Sequence, residues 1–293
     1  MNFKLKSWDD VLFQILVNGL LISILVIVII PMWRVFMMSI TPLGYIDTKT
    51  FGLWLAPLKW SFEAYKQLLS HPSFLRATTN STIITLGGMA INMFLTVPFA
   101  YALSNRDLPG RRFFITLVMI PFLFNAGLIP SYLVVQKLGL VDTYWAVILP
   151  GGINIYNLLV MKSFFEGLPD ELKEAARLDG ANEFQVLWHV VLPLSKPILL
   201  TIGLFYAVGH WNEFFNAILY LNDAKLQPLP VLLRNILLAA NMNEYVEYDA
   251  FSSASVQAIK AASVFLTMLP MVIIYPWIQK YFTKGTLLGG VKS

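Results

Sequence analysis

Glu213 is the residue that most invites a chemical reading, because it is the only formally charged side chain well inside any of the long apolar stretches of this sequence. Gly209, Asn212, Glu213 and Asn216 fall at i, i+3, i+4 and i+7, which puts them on one face of a helix, with Tyr206 and His210 flanking it. A carboxylate among amides on one face can line a path for a polar solute. It can also clamp neighbouring helices, with Glu213 neutral or paired to His210. Two weaker sets exist. Asn154 and Asn157 lie three apart, with Gly151 in line and Tyr156 adjacent, and Asn125, Tyr132 and Gln136 lie at i, i+7 and i+11. Amides and aromatic rings suit sugar hydroxyls and sugar faces, and they suit ordinary helix packing as well.

Catalytic patterns are missing. The sequence contains no G-x-x-x-x-G-K-[ST] phosphate loop and no H-E-x-x-H pair, and its three histidines, His71, His189 and His210, are scattered. There is no cysteine, hence no disulfide, thiolate nucleophile or cysteine-ligated metal. The chain is expected to be no enzyme and to bind no metal or cofactor itself.

The elements that carry these residues are set by composition. Of 293 residues, 57% are hydrophobic and only 13% charged, against ~25% charged in a typical soluble domain. Several uncharged runs reach the ~20 residues that cross a bilayer as a helix. They do not alternate as barrel strands do. The expected fold class is an all-α integral membrane protein with six transmembrane helices: Val11 to Trp33, Thr79 to Leu103, Phe113 to Gln136, Thr143 to Met161, Pro197 to Leu221 and Ala261 to Gln279. Ser61 to Leu69 reads as a surface helix, beside interface aromatics such as Trp54 and Trp60. Val231 to Ala240 is apolar but too short to span, and Arg234 interrupts it.

Six spans put both termini on one side. Lys and Arg number twelve on the side of the termini and nine on the other, where they sit mostly in long loops that weigh less in orientation. Both termini are therefore expected in the cytoplasm. The net charge of +4 reads as topology, not nucleic-acid affinity.

On that same side lies the longest charged run between two spans, Leu168 to Pro193. Pro169 suits a first helical position, and Asp170 and Glu171 suit a first turn. Leu168, Leu172, Ala175 and Ala176 fall on one face. Asp179-Gly180 supplies a stop, with Gly180 free to take positive φ. Asn182 can cap a second helix carrying Phe184, Leu187, Trp188 and Val191 at helical spacing, which Pro193 would end. A helix showing Phe184 and Trp188 needs a partner surface. That surface can be the chain's own spans, the lipid interface or another subunit.

Glu174, Ala175, Ala176, Gly180, Val190, Leu192 and Pro193 match a known pattern. They closely resemble the EAA loop of permease subunits of bacterial ABC importers: Glu-Ala-Ala, three positions, glycine, about nine positions, then an apolar residue, any residue and Leu-Pro. Val190, often isoleucine in that family, is a mild departure. The motif lies between the fourth and fifth spans, as in the carbohydrate-type permeases. The likeness runs from about Asn80 to the end, through NAGLIPSYLVV, LVDTYWAVILPG and YPWIQKYFTKGTLLGGVKS, and looks closest to the subgroup handling oligosaccharides and polysaccharide fragments. Some members handle acidic uronate oligosaccharides such as alginate fragments.

The resemblance implies a type I importer fold in the bacterial cytoplasmic membrane. It implies residues 1–76 as tail, first helix and external loop, 77–281 as a five-helix transmembrane domain with coupling loop 166–196, and 282–293 as a cytoplasmic tail. Implied partners are a second, similar permease forming a heterodimer, two ATPase subunits that carry ATP and Mg, and an external solute-binding protein. Residues 182–189 would be the coupling helix, within an ATPase-coupling set of Glu174, Ala175, Ala176, Asp179, Gly180, Ala181, Phe184, Leu187, Trp188, Leu192 and Pro193. Three other functions compete. An ABC permease for a non-sugar solute shares the motif. An ion-coupled transporter using Glu213 as a proton site is disfavoured by the lack of inverted halves. A non-transporting scaffold is disfavoured by the polar stripes.

Overall fold

The structure, a computed structural model, describes residues 8–42, 60–124, 126–239 and 256–289. Trp54 and Asn125 fall outside these ranges. Every regular element among the described residues is helical. In chain order they are α1 (Trp8–Ser39), α2 (Glu63–Ser70), α3 (Pro72–Ser104), α4 (Arg111–Leu123), α5 (Leu128–Lys137), α6 (Trp145–Ile148), α7 (Ile155–Glu166) and α8 (Asp170–Leu178). There follow α9 (Glu183–Val186), continued by a π-helical stretch Leu187–Val191 and a turn Leu192–Leu194, then α10 (Lys196–Trp211), α11 (Phe215–Tyr220), α12 (Leu229–Ala239) and α13 (Val256–Gly289).

Contacts divide the chain into two units. One comprises Met1–His71 and Asn235–Met268. Within it, α1 presents large apolar side chains all round from Leu12 to Trp33, as a helix surrounded by hydrocarbon does. Its last turn is buried at Met37 and Ser39, and the serine ties it down. Ser39 Oγ lies 2.6 Å from Tyr65 Oη on the expected surface helix α2. Tyr65 meets Phe265 edge-on at 6.5 Å.

The other unit comprises Pro72–Arg234 and Leu269–Ser293. Its axis is α3, whose buried residues include Phe74, Ala77, Asn80, Ser81, Ile84, Thr85, Gly88, Asn92, Thr96, Ala100, Leu103 and Ser104. Half of that face is polar, while Leu86 and Phe94 point outward. Such inversion suits a bilayer, where the outside is apolar and polar side chains gain by bonding across helices. α7 and α10 pack on α3, and their core includes Ala100, Leu103, Leu158, Met161, Phe165, Ile202 and Tyr206.

Among the described residues, not all six expected spans are continuous helices. Val11–Ser39, Pro72–Ser104 and Val256–Pro276 are long and apolar enough to cross a membrane, and counting each bent pair as one span gives up to five. The third expected span is α4 and α5, with Gly127 between them at φ +88°. The fourth is α6 and α7, separated by Leu149 to Asn154, where Pro150, Gly151 and Gly152 remove a donor and loosen the backbone. The fifth breaks after Trp211 and resumes at Phe215. The last helix continues to Gly289, well past the Gln279 limit read from the sequence. The short apolar stretch in the last loop is helical, as α12.

Candidate coupling foot and polar path

The charged loop folds as two helices about a glycine. Pro169 is the residue before the first turn of α8, not its first helical position. Gly180 takes φ +87°, the left-handed conformation that stops a helix. The Ala181 N–H then returns to the Ala176 carbonyl at 3.0 Å. Asn182 caps α9 in a reciprocal box: its Oδ1 accepts from the Gln185 N–H, and Gln185 Oε1 accepts from the Asn182 N–H, each at 2.9 Å.

The buried face of α8 differs from the apolar one expected. Lys173 and Ala176 turn inward, whereas Leu172 is 45% exposed and Ala175 is also exposed. Lys173 reaches back with Nζ 3.3 Å from the Phe165 carbonyl and 3.0 Å from Asp170 Oδ1. The ammonium so caps the end of α7 and leaves Leu172 outside. Lys173 also holds the Asp170 carboxyl below its ordinary range. Glu174 and Asp179 are exposed and make no ion pair among the described residues.

The second helix splits its apolar residues between two surfaces. Val186, Leu187 and Val191 are buried in the same core as α3, α7 and α10, which welds the foot to the spans. Phe184 and Trp188 point the other way, 71% and 59% exposed, with their rings stacked at 6.2 Å and 15°. Neither ring packs into the chain's own core. Leu192 is half-buried, Pro193 is exposed, and the limb meets α10 at an 87° bend. Pro193 lies inside the final turn; the helix ends at Leu194, with Ser195 as its cap.

Above the foot, Arg111 and Lys162 both bond Glu166, Lys162 at 2.8 Å. Partial burial raises the Glu166 carboxyl, but Lys162 and Arg111 outweigh it and hold it below its usual range.

The expected path residues separate into clamped and open groups. Tyr206 is buried, with Oη 2.7 Å from Thr96 Oγ1 and accepting the Asn154 N–H at 3.0 Å. His210 lies over Gly88, and its Nε2 is 3.0 Å from Asn92 Nδ2, which also donates to the Gly151 carbonyl at 3.2 Å. An amide nitrogen only donates, so His210 Nε2 is the acceptor. These two rungs hold the break between α6 and α7 against α3 and α10. Asn154 Oδ1 caps α7 by accepting the Asn157 N–H, and Asn157 is buried.

Glu213 stands in the break between α10 and α11. It bonds Asn216, with Oε1 accepting the backbone N–H at 3.0 Å and Oε2 the side-chain amide at 3.1 Å. Gly209 and Asn212 are exposed, and the single helical stripe is interrupted at Asn212. Tyr132 stacks on Tyr220 at 5.9 Å. Asn125 lies outside the described residues.

Sequence reasoning missed the partners supplied by α3: Asn80, Asn92, Thr96 and Tyr101. Ser81, Thr85, Gly88, Asn92 and Thr96 recur every three or four residues, a helical period that was there to be read. It also missed Asp142. At φ +58°, Asp142 accepts the Asn222 and Asp223 N–H groups at 2.5 and 3.0 Å. Those bonds, the Asp223 N–H foremost, hold its carboxyl below the usual range.

Residues 93–287 match the family model described as the binding-protein-dependent transport system inner membrane component. Protein LplC of Bacillus subtilis is 42% identical over 87% of this chain and 90% of its own length. The polygalacturonan/rhamnogalacturonan transport system permease protein YtcP of the same organism is 41% identical over 96% of this chain and 99% of its own. The crystal structure of a bacterial ABC transporter involved in the import of the acidic polysaccharide alginate contains a chain that matches at TM-score 0.87 and 33% identity, over 96% of this chain and all of that one. With the type I importer fold in place, the chain belongs to the family of inner-membrane permease components of binding-protein-dependent ABC transport systems.

Proposed function

We propose that this permease forms half of the translocation path for an oligosaccharide or polysaccharide fragment and is driven through its cytoplasmic foot. The observation that carries the reading is the stacked, exposed Phe184–Trp188 pair on a rigidly capped helix whose opposite face is fixed to the spans. Two large rings held outward in water leave apolar area that a partner groove would cover. Two ATPase subunits, carrying ATP and Mg, fill that role, with Glu174 placed to meet a basic residue. A second permease completes the path, and an external solute-binding protein delivers cargo. Cargo class is supported by the relatives, named for polygalacturonan or rhamnogalacturonan and for alginate.

Within this chain the open positions Gly209, Asn212 and Asn154 face the cargo. Tyr206, His210 and Asn157 hold the broken helices that shape the path, and Glu213 with Asn216 fixes the start of α11. Both termini lie in the cytoplasm; a reporter active only outside the membrane, fused at Gly180, stays silent.

The test is ATPase stimulation of the purified complex by cognate binding protein across neutral oligosaccharides, uronate oligosaccharides, amino acids and peptides. Stimulation by a saccharide class alone is expected. Stimulation by amino acids or peptides alone contradicts the cargo assignment.

A further inference from the structure

Glu183, the first residue of α9, stands where three elements meet. Its Oε1 accepts from Arg177 Nε on α8 at 2.8 Å, and its Oε2 accepts from Tyr101 Oη, at the foot end of α3, at 2.6 Å. The backbone on either side is fixed by the Asn182–Gln185 box, so the carboxylate has little freedom to follow its partners. A hydroxyl donating to a carboxylate at 2.6 Å is a charge-assisted bond, shorter and stronger than a neutral one. The Arg177 pair alone, more than half open to water on the glutamate side, counts for little in stability. Its value is directional: it ties α8 and α9 into one piece, and the tyrosine ties that piece to α3.

The same helix α3 then bonds, in order away from the foot, Tyr206 through Thr96, the α6–α7 break through Asn92, and Tyr144 and the Lys225 and Gln227 carbonyls through Asn80. Tyr101 is therefore the lowest rung of a ladder of side-chain bonds that reaches the α6–α7 break and α10.

We propose that Glu183 is a positioning residue that makes the foot move with α3, so that displacement of α9 by an ATPase reaches the Asn92 and Thr96 rungs through Tyr101. Glu183 touches neither cargo nor nucleotide. This rests on the reading that an ATPase docks on Phe184 and Trp188.

The test uses the whole complex in liposomes, with binding protein, comparing wild type, Tyr101→Phe, Glu183→Gln and the double variant. Tyr101→Phe removes one hydroxyl and keeps the Arg177–Glu183 pair, so the foot stays folded. Tyr101→Phe is expected to co-purify with ATPase at the wild-type ratio and to hydrolyse ATP, yet to lower cargo transported per ATP by roughly threefold to tenfold, the range of one lost hydrogen bond. Glu183→Gln is expected to do the same, and the double variant to be no worse than Glu183→Gln, because the two act through one bond. Unchanged cargo per ATP in Tyr101→Phe, additive losses, or loss of ATPase from the purified Glu183→Gln complex would each overturn the proposal. If the wild-type complex itself shows no ATP-driven uptake, the functional reading fails first, and this proposal with it.

Discussion

The ring of His210 lies so close over Gly88 that a Cβ built there would stand 2.5 Å from Nε2 and within 2.8 Å of two ring carbons. Adjacent Gly87 has nothing within 4 Å of the same position. Two neighbouring glycines therefore carry opposite demands, and only one admits the close helix contact that places His210 on Asn92.

Gly88→Ala should displace the imidazole, break the Asn92 bond and cost ~1–3 kcal/mol as overpacking. Gly87→Ala should be tolerated. Thermal unfolding of the purified complex separates them; equal stability of the two variants would show that the ring moves freely.

Tyr206→Phe should leave the backbone N–H of Asn154 without its acceptor and Thr96 without its partner. Leaving a buried donor unmet costs ~1–3 kcal/mol. Uptake should fall with the stability, because the break between α6 and α7 loses one of its two rungs. A variant as stable and active as wild type would mean that the phenolic hydroxyl is dispensable there.

Glu213→Gln should keep uptake within about twofold, since an amide oxygen can still accept the Asn216 N–H. Glu213→Ala removes that cap and should destabilise by ~1 kcal/mol. Full loss of uptake in Glu213→Gln with assembly intact would instead make the charge essential to transport.

The Arg111–Glu166–Lys162 cluster sets an acid limb. The folded-state carboxyl is depressed, so its stabilising contribution is present above the ordinary value of 4.5 and is lost as pH falls through the lower folded value. Below about pH 4.5 the wild-type complex should lose thermal stability faster than Glu166→Gln, whose amide does not titrate. Parallel acid limbs would remove Glu166 from the account.

How much of this was legible differs by element. The two-helix outline of the foot was legible because its signals are local: Gly180 free to take positive φ, Asn182 as a cap, and Phe184 four before Trp188. Its inner face was misread because Lys173 buries its stem and bonds the end of α7, which no apolar pattern announces. The spans were drawn as single segments because hydropathy measures length and apolarity, and Leu149 to Asn154 stays apolar enough, with only Pro150, Gly151 and Gly152 to suggest a kink there. What permits that break is the Asn92 amide and the Tyr206 hydroxyl, distant in sequence. Glu213 looked like a lone charge in a helix because the stop at Asn212 has no proline or glycine to mark it.

The most direct measurement is retention of the ATPase subunits on the purified permease pair when Phe184→Ala and Trp188→Ala are introduced together. Both rings are exposed and outside the core, so the permeases should stay folded and paired. The account predicts loss of most of the bound ATPase and of ATP-driven uptake. Full ATPase retention and unchanged uptake would contradict it and assign the two rings to the lipid interface.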